Sequence, residues 1–111
     1  MQTSANLIEE HQNRRRCAVF LKAEYLLKRR KEKGECTVVN ITHGGACIMF
    51  PPEAVFAKGE ALSLQIKMSG LKIIIVTGNI TWHKKTETAC VAGVKFLKPL
   101  NLYSFIKKCY L

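Results

Sequence analysis

Two groups of residues in this chain have the chemistry to hold an anionic, hydrogen-bonding ligand. Arg14, Arg15 and Arg16 run consecutively near the N-terminus. A guanidinium presents a planar fork of donors that matches phosphate oxygens or the O6/N7 edge of guanine, and its flat face can stack on a base. The second group is the stretch NITHGGAC at 40–47, where Asn40 and Thr42 are polar inside the end of an apolar run and are followed by Gly44 and Gly45. Short hydrogen-bonding side chains there adjoin accessible backbone amides, and Gly45 either lets a ligand approach closely or permits positive φ. Each group also has a plainer interpretation: a solvated basic arm, and a turn in which Asn40 and Thr42 satisfy local backbone groups.

Other chemistries find little support. The eight acidic residues are all Glu, with no Asp in the chain, which excludes a paired-Asp site. His11, His43 and His83 are dispersed, without metal-ligand spacing to one another or to a Cys. No GxxxxGK phosphate loop is present. Cysteines stand at 17, 36, 47, 90 and 109, an odd number without a CxxC pair and each among apolar residues. That pattern predicts reduced thiols in a cytoplasmic protein, without a bound metal. The N-terminus lacks the apolar core of a signal peptide, and IIIV at 73–76 is too short to span a bilayer. A net charge of +10 favours an anionic partner: a nucleotide, a nucleic acid or an anionic surface.

The elements that must position these residues follow from periodicity. A length of 111 residues favours one domain, and 48% apolar composition can fill its core. Residues 1–16 are polar and basic and predict a flexible arm; residues 17–111 predict the folded unit. Cys17, Val19, Leu21, Ala23, Tyr25 and Leu27 alternate on one strand face. KRRKEKG at 28–34 is predicted as a charged turn, followed by strands over about 35–42 and 45–50. Pro51 and Pro52 open a loop. Leu62, Leu64, Ile66 and Met68 alternate next, and 71–83 make a long strand in which Gly78 is the expected bulge or bend. Cys90, Ala92, Val94 and Phe96 face inward on a last strand. After Pro99 the period changes to that of a helix, with Leu102, Phe105, Ile106 and Cys109 on one face. Six short strands with regular turns predict an all-β, six-stranded antiparallel barrel with a C-terminal α-helix.

The arginine cluster ahead of strand one, followed some 25 residues later by Asn40-x-Thr42-x-x-Gly45, resembles the PilZ domain family. That family carries RxxxR and then [D/N]xSxxG. GNITWH at 78–83 is similar to its G-x-V-x-W strand, and AGVKF at 92–96 to its G-[VI]-x-F strand. The resemblance implies a six-stranded barrel with a terminal helix, no catalysis, and cyclic di-GMP as ligand. AEY at 23–25 places Arg16 at the second motif arginine, and the position four residues earlier is Gln12. Arg14 or Arg15 then stands in for the first. Thr42 replaces the motif serine and keeps its hydroxyl, while Asn40 and Gly45 match directly. By resemblance, Arg14, Arg15, Arg16, Asn40, Thr42 and Gly45 contact the ligand, the arm closes over it, and the changed surface meets a protein partner. Two alternatives stand beside this: a nucleotide-free PilZ-like adaptor, favoured by Gln12, and a basic nucleic-acid-binding barrel using Lys28–Lys33 and the arm.

Overall fold

The computed structural model describes residues 17–68 and 70–100. They form β1 (Cys17–Leu27), β2 (Glu32–Thr42), β3 (Gly45–Phe50), β4 (Ala61–Lys67), β5 (Ile73–Lys85) and β6 (Cys90–Phe96). All neighbours are antiparallel, and the order β1-β2-β3-β6-β5-β4 closes on itself through β1 and β4. The expected barrel is therefore the fold. No helix occurs among the described residues. The predicted arm and the predicted terminal helix both lie outside them.

Alternation explains the core. Val19, Leu21, Ala23, Tyr25 and Leu27 of β1 point inward, as do Leu62, Leu64 and Ile66 of β4 and Cys90, Ala92, Val94 and Phe96 of β6. Each fully buried Leu or Ile contributes on the order of 1.5–3 kcal/mol through removal of apolar surface from water. At one end Phe50 lies between Tyr25 and Phe56, with ring centroids 5.0 and 4.6 Å away in edge-on geometry. Burial pushes the buried Cys36 thiol up to about 12, which removes it from thiolate chemistry at neutral pH. Cys36, Cys47 and Cys90 form no disulfide.

Two strands and one bulge differ from the sequence expectation: β5 runs over Ile73–Lys85 and not 71–83. β2 begins at Glu32, so Glu32, Lys33 and Gly34 pair with Leu27, Leu26 and Tyr25. The charged turn is only residues 28–31, closed by Lys31 at φ 56°. Arg30 anchors it: Nε donates to Glu60 Oε2 at 3.0 Å, and Nη2 donates to Glu60 Oε1 and to the Val55 carbonyl. The bulge in β5 lies between Ile80 and Trp82 and not at Gly78. Gly78 instead permits close strand approach, since a Cβ there would lie 2.4 Å from the Lys95 carbonyl oxygen.

Candidate functional site

Two bulges create the site by breaking strand alternation. In β2, Val38 pairs with Ile48 and Asn40 with Cys47, so β2 spends two residues where β3 spends one. Without that insertion Asn40 would follow Val38 into the core. With it, Ile41 is buried and Asn40 and Thr42 are half-buried on the outer side. In β5, Ile80 pairs with Val94 and Trp82 with Gly93. The extra residue there turns Trp82 outward after the buried Ile80. Bulges re-aim side chains in this way.

The outcome is a set of rows across four strands. Asn40 pairs with Cys47, Cys47 with Gly93, and Gly93 with Trp82. The adjoining row runs from Thr42 to Gly45, Lys95 and Asn79. These residues line an outer groove of about 220 Å³, with Gly44, Ala46, Thr81 and Val94 completing it. Asn79 stands just beyond the lining, its Nδ2 donating to the Gly59 carbonyl at 3.0 Å. A groove of that size is smaller than the roughly 300–1,000 Å³ of a closed ligand pocket. It offers a platform for part of a ligand.

Local geometry separates the roles of the motif residues. Thr42 Oγ1 donates to the Gly45 carbonyl and accepts from the Gly44 N–H, both at 3.3 Å. Its hydroxyl therefore shapes the turn, as the plainer interpretation held for it. The Asn40 carboxamide has no such bond among the described residues and faces the groove. Gly45 lies against β6: a Cβ there would sit 2.4 Å from the Val94 carbonyl oxygen, while one at Gly44 would meet nothing within 4 Å. The turn also grips the end of β6, because Phe96 N–H donates to Gly44 O at 2.8 Å and Leu100 N–H to His43 O at 2.6 Å.

Of the six residues predicted from sequence, Asn40, Thr42 and Gly45 come together in this groove. Arg14, Arg15 and Arg16 lie outside the described residues. The chain enters β1 beside the groove, since Cys17 pairs with Ile41 and Ala18 with Asn40. Sequence reasoning missed Trp82, Lys95 and Cys47 as lining residues. The one signal for Trp82 was that it is the only tryptophan; its spacing of two from Ile80 predicted the core, whereas the side chain is 50% exposed. No cluster of three or more His, Cys or Glu that could hold a metal occurs among the described residues. No helix among them is long and apolar enough to cross a membrane.

Comparison with known proteins agrees with the barrel fold. The PilZ domain family model matches residues 10–106. The Bacillus subtilis inhibitor of motility MotI/DgrA superposes with a TM-score of 0.61 at 14% identity, covering 80% of this chain and 44% of that one. The Borreliella burgdorferi PlzA protein, solved in complex with c-di-GMP, superposes with a TM-score of 0.60 at 10% identity, covering 95% of this chain and 53% of that one. The chain thus spans about half the length of these two proteins. At such identities the likeness is one of fold. No curated relative matches the sequence.

Proposed function

The chain belongs to the PilZ domain family, and from that premise we propose that it is a cyclic di-GMP receptor or adaptor acting in the cytoplasm. The observation that carries this is the meeting of Asn40, Thr42 and Gly45 in one groove beside the entry to β1. Cyclic di-GMP offers two guanines and two phosphodiesters. Asn40 supplies a carboxamide for a base or ribose, Trp82 an aromatic face for stacking, and Gly44 and Gly45 an unobstructed rim. Arg16, with Arg14 or Arg15, brings guanidinium forks from the arm, which covers the ligand from the open side. The ligand leaves unchanged. Closure of the arm alters the outer surface that a protein partner meets. The PlzA complex supports this ligand class by fold alone.

Calorimetric titration of the full chain with cyclic di-GMP, beside single-stranded DNA at matched salt, tests the proposal. Saturable binding of the dinucleotide with weak, length-dependent DNA binding is the expected result. Absence of dinucleotide binding at millimolar concentration would leave the nucleotide-free adaptor, for which Gln12 already argues. Tight DNA binding without dinucleotide binding would favour the basic barrel.

A further inference from the structure

Lys95 is the one charged residue lining the groove among the described residues. Arg30 is neutralised by Glu60 and Glu32, and Lys67 by Glu24 at 3.5 Å; Lys95 differs from the remaining cations by its place in the groove. Lys95 has no ion pair among the described residues, and no carboxylate lines the groove. Its backbone is held on both sides. Gly45 pairs with it from β3, Asn79 from β5, and Gly78 lets β5 approach to where a Cβ would touch the Lys95 carbonyl. Gly45 places no side chain between Lys95 and Thr42. A fixed backbone carrying an exposed, unneutralised ammonium beside the Asn40–Thr42 edge is a place for an anion.

We infer that Lys95 is a ligand-binding residue that takes one phosphodiester of the nucleotide, a charge supplied by the barrel wall itself. The inference rests on the proposed cyclic di-GMP function and adds to it a groove-borne cation at a position the RxxxR and NxTxxG motifs do not include. An ammonium is a compact point charge with three donors, so it neutralises a phosphodiester without needing the paired geometry of a guanidinium.

The test is titration of cyclic di-GMP against the full chain at several salt concentrations, for the native protein, Lys95→Gln, Lys95→Arg and Lys98→Gln. Lys95→Gln is expected to weaken binding by roughly tenfold to a hundredfold, the scale of one charged hydrogen-bonding contact. It is also expected to flatten the salt dependence, since one screened charge pair is removed, which lost packing alone would not do. Lys95→Arg should retain both properties, and Lys98→Gln, outside the groove, should match the native protein. Native affinity and salt slope in Lys95→Gln would overturn the inference and leave the proposed function standing. No binding by the native protein would overturn both. Should Lys95→Gln be unstable, the ¹³C signal of reductively methylated Lys95 in the native sequence decides: a shift on adding nucleotide supports the contact, and an unmoved signal at saturation overturns it.

Discussion

The indole of Trp82 occupies the space that a side chain at position 93 would need: a Cβ on Gly93 would lie 2.1 Å from Trp82 Nε1. The bulge between Ile80 and Trp82 and the glycine across from it thus work as a pair, one turning the ring outward and the other giving it a flat bed. Gly93→Ala must displace the ring, and since Trp82 is half exposed the ring can swing out. The expected cost is about 1–3 kcal/mol, the range for overpacking a filled site. Because Trp82 is the only tryptophan, its emission reports the groove directly. Gly93→Ala should shift that emission toward the solvent-exposed value, and Trp82→Ala should weaken nucleotide binding by about 1–3 kcal/mol if the ring stacks a base.

The adjacent glycines at 44 and 45 should respond oppositely to the same substitution. Gly45→Ala drives a Cβ into the backbone carbonyl of Val94, which cannot rotate away as a side chain could. A loss of about 1–3 kcal/mol is expected, visible as a melting temperature lower by several degrees. Gly44→Ala meets nothing and should stay within about 0.5 kcal/mol of the native protein. Thermal unfolding of the two variants, measured without ligand, checks the contrast.

Most of the barrel was legible in the sequence because inward and outward residues alternate along β1, β4 and β6, and the inward set is apolar throughout. The signal failed where that alternation fails. At 32–34 the β1–β2 hairpin projects with both faces solvated, so charge alone suggested a turn. The bulges carry no residue signature of their own here: Gly78 drew attention, yet the extra residue in β5 lies between Ile80 and Trp82. Trp82 was hidden for the same reason, since continued alternation from Val76, Gly78 and Ile80 would have sent it into the core. Asn40 and Thr42 were found because they are polar where the neighbouring residues are not. Their outward placement depends on a bulge that only the register reveals.

Glu60 should set part of the acid limit of stability. It is only 8% exposed. Burial raises its carboxyl pKa, but the Ala57 N–H at 2.9 Å and the Arg30 guanidinium outweigh burial and hold it below the ordinary carboxylate value. A carboxyl depressed in the folded state is protonated first in the unfolded chain. Its stabilisation is complete above the unfolded pKa and disappears as pH falls through the folded one. Stability should therefore decline as pH drops below about 4.5, the unshifted carboxyl value. Glu60→Gln should start from lower stability at neutral pH and show a shallower acid slope in urea titrations across that interval.

Asn40 and Lys28 separate specific from diffuse attraction. Asn40 faces the groove, while Lys28 sits on the charged turn at 28–31, outside the lining. Asn40→Ala should weaken cyclic di-GMP binding by roughly 0.5–1.5 kcal/mol, the net worth of a hydrogen bond, or more if the carboxamide meets a phosphate. Lys28→Ala should change it little. Equal losses would mean that the whole basic surface attracts the nucleotide and would strengthen the nucleic-acid alternative. Calorimetry at one salt concentration measures both.

The arm offers a last discrimination, because Gln12 and the run Arg14–Arg16 distribute its charge unlike an RxxxR pair. A glutamine gives one uncharged amide and cannot provide the paired, charged contact that arginine gives a phosphate. If Arg14 or Arg15 fills that role together with Arg16, Gln12→Arg in the native background should change affinity little. Arg16→Ala and one of Arg14→Ala or Arg15→Ala should each cost roughly 1.5–3 kcal/mol, the worth of a charged hydrogen bond. That is the expected outcome, since three consecutive guanidinium groups ahead of Cys17 give several ways to place two forks beside the Ile41 register position. If instead neither neighbour compensates, native binding should be weak and Gln12→Arg should raise affinity by a similar amount. Limited proteolysis after Arg14–Arg16 adds an independent measure, because an arm that closes over nucleotide should be cut more slowly at saturation. Unchanged cleavage, combined with native affinity in all the arginine variants, would assign binding to the groove alone and remove the arm from the mechanism.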